Sequence, residues 1–203
     1  MSACRLRLML PLALLLAATA ARAQVGGVGE NKPELITEPY EYVSDKGEFK
    51  VTWPSGCGEL TRREKVNDPD VDPFDEVFVY SVYCDQRGQH GVGCAVMAVF
   101  NLKDADGEPA GPQDVVKRLE EHMKLLGVNV EKQQPIRRAM PDGTVVEGLE
   151  IRAREPEGAG EAWMRGLLHQ GDVFLLSAWN MEGGLFNDPE FLTFFNSFEP
   201  LTP

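Results

Sequence analysis

The chain has 203 residues, with 20 basic against 32 acidic side chains and a formal net charge of −12. That balance repels nucleic acid phosphates and anionic membrane surfaces, and no basic stripe offsets it, so neither a nucleic acid partner nor membrane insertion of the mature chain is expected. Its length suits one well-formed core and is too short for two.

Arg5 and Arg7 precede an apolar run from Leu8 to Ala18, and Ala21-Arg22-Ala23 offers small residues where a signal peptidase reads. Eleven apolar residues cannot cross a hydrocarbon core of about 30 Å, so the segment reads as a cleavable secretory signal over residues 1–23 rather than an anchor. Its removal takes away three Arg and no acid, leaving 20 − 3 = 17 basic against 32 acidic groups, a net −15. The mature protein is expected to be secreted or periplasmic. Residues 24–40, rich in Gly, Pro, Glu and Asn, read as a flexible leader, and residues 41–203 as a single domain.

The domain opens with Gly47 to Trp53, where Phe49, Val51 and Trp53 share one face of a strand. Pro54 to Gly58 is a turn. Glu59 to Val66 is a polar strand suited to an edge, and Asn67 to Asp75 an acidic loop. Val77 to Cys84 and Cys94 to Leu102 form a long-looped hairpin. If these first four strands make one meander, Pro54–Gly58 and Asp85–Gly93 lie at the same end of it. Period then changes: Pro112 opens a helix in which Val115, Leu119, Met123 and Leu126 recur at helical spacing, and Gly127 ends it. Strands resume at Val128 to Gln134 and Thr144 to Arg154. Glu161 to His169 and Val173 to Trp179 pair across a Gln-Gly-Asp turn. Asp188-Pro189 starts a short helix whose Phe191, Leu192, Phe194 and Phe195 must enter the core. This order predicts an α+β fold: a mostly antiparallel sheet of about 6–8 strands covered by one amphipathic helix and a short C-terminal helix.

The Phe-x-Val start leading to Trp53-Pro54, the meander, the helix ending in Gly127, the later hairpin and the Phe191 to Phe198 segment together resemble the PsbP-like fold over residues 47–198. The resemblance implies a sandwich that binds or stabilises partners and is rarely an enzyme. It carries over no functional residue.

Cys4 leaves with the signal, so Cys57, Cys84 and Cys94 remain, an odd number in an oxidising compartment. Cys84 pairs with either Cys57 or Cys94, with Cys57–Cys84 favoured, and the third thiol is buried. The alternative is a tetrahedral zinc site of Cys57, Cys84, Cys94 and His90, although no tight Cys-x-x-Cys clip is present. Asp68, Asp70 and Asp72 imitate the start of a calcium loop, but Pro73 occupies the place of its glycine and Val79 that of its bidentate glutamate. His122 and His169 read as surface or hydrogen-bonded residues. Trp53, Trp163 and Trp179 read as core. No nucleophile elbow, zinc-protease helix or phosphate-cradling loop occurs. No cofactor is therefore expected. The sequence points to an exported, non-enzymatic binding or accessory module with an unknown protein partner; the alternative is a metal-binding protein.

Overall fold

The structure is a computed structural model describing residues 37–58, 61–66, 76–83, 91–100, 108–109, 111–140 and 143–201. Alternation of apolar and polar residues builds β1 (Tyr40–Ser44) and β2 (Phe49–Trp53), which pair antiparallel with Tyr40 opposite Trp53. These two strands belong to a small sheet of their own, completed by β10 (Glu199–Pro200) on the far side of β2. This corrects the four-strand meander. Only β3 (Thr61–Val66), β4 (Glu76–Tyr83) and β5 (Val92–Phe100) run on as neighbours, in a second, seven-stranded sheet. Alternation identifies a two-faced strand but says nothing of its partner, and β10, at two residues, has no periodicity to read.

The large sheet runs β3-β4-β5-β9-β8-β7-β6, where β6 is Asn129–Ala139, β7 Val145–Arg154, β8 Glu161–His169 and β9 Asp172–Asn180; every pairing is antiparallel. The polar strand β3 stands at one edge, as its composition implied. At the other edge β6 runs longer than expected, straight through Pro135. A proline donates no N–H and is tolerated where no further strand needs one.

Helix α1 (Pro112–Leu126) lies on one face of this sheet. Asp114 closes its first turn by accepting from Gly111 N at 2.9 Å, and Gly127 ends it at φ +65°, a left-handed conformation that glycine adopts without strain. Val115, Leu119 and Met123 are buried with Leu149, Ile151, Ala153 and Met164 beneath them. The approach is close: a Cβ on Gly166 would stand 2.6 Å from Val115 and 2.7 Å from Leu119.

The opposite face holds the larger core. The small sheet and α2 (Pro189–Ser197) cover it, and α2 begins at the N-cap Asp188, whose side chain accepts from Glu190 N at 2.9 Å. Its Phe191, Phe194 and Phe195 are all buried, as their density in the sequence required. Trp53 stacks on Phe194, Trp163 on Phe195, and Phe49 on Phe198. All three tryptophans are core residues. The α+β class and the two covering helices agree with the sequence reading.

Candidate functional site

Strand β7 sends Leu149, Ile151 and Ala153 towards α1, so Glu150, Arg152 and Arg154 emerge on the α2 side. Register then lays three rungs across neighbouring strands. Glu150 lies between Gln134 of β6 and Arg165 of β8, and Arg152 between Lys132 and Trp163. Arg154 faces Glu161.

The first rung is closed. Glu150 is 2% exposed. Its Oε2 accepts from Arg165 at 2.6 Å, and its Oε1 from Gln134 Nε2 at 3.1 Å and Arg152 Nε at 3.3 Å. A carboxylate so far from water is tolerable only with such a set of donors. Arg165 also donates to Phe195 O at 2.6 Å, while Arg138 donates to Asn196 O at 3.2 Å and to Phe198 O. Two guanidiniums thereby satisfy carbonyls at the C-terminus of α2, where positive charge is favoured. Burial, and secondly the charge of Arg165, pull the pKa of Arg138 below the usual arginine value, with Glu199 acting in the other direction.

The other rungs are more open. The Arg152 guanidinium lies 4.1 Å over Trp163, whose far face stacks on Phe195 at 4.3 Å. Arg152 and Arg154 both stand over Phe186, at 5.5 and 5.6 Å. Arg154 holds Glu161 at 2.7 Å and Glu131 at 3.4 Å. Side-chain exposure is 46% for Arg154 and 24% for Arg152, against 8% for Glu161 and 2% for Glu150. The cations therefore lie outermost, with two of their carboxylates behind them. Lys132, exposed and opposite Arg152, makes no ion pair among the described residues.

Of the residues singled out by sequence, Cys57 and Cys94 lie elsewhere, both buried in the larger core, Cys94 as a thiol. Cys84, His90 and the acidic residues Asp68, Asp70 and Asp72 lie outside the described residues, as does the side chain of His122. Among the described residues no three His, Cys, Asp or Glu side chains come together as metal ligands. His169 corrects the sequence reading: it is buried, and neither ring nitrogen has a hydrogen-bond partner among the described residues. The arginine rungs went unread because Glu150-x-Arg152-x-Arg154 has the form of an ordinary solvent face. The usable signal was the aromatic C-terminal helix, which needed a second sheet face to cover.

No family model and no curated protein matches the chain. Among solved structures it is similar to cyanobacterial PsbP from Synechocystis sp. PCC 6803, at 15% identity over 88% of this chain and 98% of that one, with a TM-score of 0.49. It is also similar to a Bacteroides thetaiotaomicron protein, at 10% identity over 82% of this chain and 49% of that one, TM-score 0.38. A Pseudomonas aeruginosa protein of unknown function, termed a putative regulator, shares 12% identity over 82% of this chain and 97% of that one, TM-score 0.36. The first of these is a PsbP, the family whose fold the sequence resembles; at these identities and TM-scores no residue role is carried over.

Proposed function

We propose that the protein is an exported binding or accessory module without chemistry of its own, which docks a partner on the open β6–β7 end of its large sheet. The arginine network carries this reading. Its buried carboxylate, Glu150, is engaged by Gln134, Arg152 and Arg165 at once, a structural lock rather than an acid or base with access to substrate. What faces outward is a cationic edge over aromatic rings, suited to recognition. Among the described residues no helix is long and apolar enough to cross a membrane.

Export and the cysteines belong to the same proposal. Residues 1–23 act as the signal, and Cys57 pairs with Cys84. In support, Cys57 and Cys94 are both buried in the larger core, and Cys94 is a thiol there. Tyr80, four residues before Cys84 in the chain, points into the core that holds Cys57. The test is expression of the full gene with its own leader, followed by mass analysis, thiol titration after denaturation, and a peptide map. A mature chain beginning at Gln24, one free thiol and a Cys57–Cys84 cross-linked peptide are expected. Retention of residues 1–23, or three free thiols with bound zinc, would remove the reading and restore the metal alternative.

A further inference from the structure

We infer that Lys132, Arg152 and Arg154, floored by Trp163 and Phe186, form a carboxylate-binding face that takes an acidic, extended segment of a partner protein laid along β6. The inference rests on the accessory reading above and names the chemistry of its partner.

The first ground is an arrangement that stability alone does not explain. Lys132 and Arg152 stand directly opposite each other across β6 and β7, a like-charge pair that weakens a sheet. The carboxylate that Arg152 does contact is used by Gln134 and Arg165 as well, and Arg152 reaches it through Nε alone among the described residues. The outer N–H groups of its guanidinium fork are left for another acceptor. A fold that keeps two opposed cations at its surface in a chain of net charge −12 is using them for something outside itself.

The second ground is spacing. Arg152 and Arg154 are two residues apart on one strand face, about 6.7 Å, the interval at which an extended peptide presents every second side chain. Arg152 and Arg154 both rest against Phe186, so the two guanidiniums are held in place rather than left to sample solvent. Guanidinium forks of this kind bind carboxylates in two-point fashion.

The third ground is the edge itself. Strand β6 ends the large sheet, and Asn129, Val130, Glu131, Lys132, Gln133 and Gln134 read as a partly or wholly exposed run with only β7 beside it among the described residues. An extended partner can add there by main-chain pairing. Of the carboxylates already at the cations, Glu161 and Glu131 hold Arg154 at 2.7 and 3.4 Å and Glu150 holds Arg152 at 3.3 Å, while Lys132 has none among the described residues. The overall acidity of the chain does not defeat this contact, since charges farther than about 8 Å are screened at physiological ionic strength.

The test is fluorescence anisotropy of the purified protein with a fluorescein-labelled peptide that alternates glutamate with valine and threonine, beside a version with glutamine for glutamate. Lys132→Glu and Arg154→Gln are compared with the parent, and each is melted to establish that it is folded; Lys132 is exposed, so its variant melts as the parent does. Expected is binding of the glutamate peptide alone, weakened at least tenfold by either substitution and weakened again between about 50 and 200 mM salt. Free citrate and inorganic phosphate, at matched charge, fail to displace the peptide. Equal binding of the glutamine peptide, or unchanged affinity in folded Lys132→Glu, overturns the inference. Displacement by citrate or phosphate overturns it in favour of a small-oxyanion site. Cleavage and cysteine pairing are read without any peptide, so this inference can fail while the exported module stands, and the reverse failure is equally visible.

Discussion

At the level of single residues, Glu150 and Trp163 hold the arginine rungs together from opposite sides. Glu150→Ala leaves Arg165 beside α2 without its counter-charge, and breaking such a buried pair costs about 3–5 kcal/mol. Glu150→Gln keeps an acceptor oxygen and is the milder variant; urea titration of the two should rank them in that order. Trp163→Ala removes a ring that stacks on Phe195 and carries Arg152, with an expected loss of about 3–5 kcal/mol. Lys50 illustrates the exposed case. Its hydrogen bond to Glu41, at 3.0 Å, raises its pKa above 10.5. A base whose pKa is raised by folding contributes stability that is complete below the unfolded value and is lost as pH rises through the folded one. The difference between the parent and Lys50→Gln should therefore be flat through neutral pH and vanish above pH 10.5, with salt reducing it throughout. A difference that instead grows under alkaline conditions would contradict the pairing.

Among the elements, α1 and α2 show what the sequence could and could not disclose. Helix α1 was legible because its apolar period, its opening proline and its closing glycine agree on one answer, and Val115, Leu119 and Met123 are all buried. What the sequence did not disclose is the surface beneath it, which requires Gly166. Gly166→Val forces α1 outward, with about 1–3 kcal/mol of overpacking and a rise in dye binding to exposed apolar surface as the readout. Helix α2 announced itself through Asp188-Pro189 and its phenylalanines; Asp188→Ala should cost about 1 kcal/mol through the lost cap to Glu190 N. The face that α2 covers stayed hidden. Residues 150, 152 and 154 are charged and alternate with apolar ones, and nothing local separates a solvated face from one closed by a distant helix. The cation-lined edge was invisible for the same reason: Lys132 and Arg152 meet only through register, and a bulge at Glu131 sets that register.

On the scale of the whole molecule, the proposed Cys57–Cys84 link would tie the β2–β3 connection to the end of β4, closing a loop worth about 3 kcal/mol in the chain-entropy model. Reduction should lower the melting temperature without abolishing the fold, because the aromatic core of Phe49, Trp53, Phe174 and Phe194 does not depend on it. The small sheet has another consequence, one of timing. Its middle strand, β2, lies among the first elements of the domain, yet one of its two neighbours is the last strand, β10, held by Leu201 N donating to Glu48 O at 2.7 Å. The domain cannot be finished from its beginning onward. Whatever order the other strands assemble in, β2 waits for residues 199–201 to be synthesised and delivered, so the small sheet remains open until that segment returns to its side.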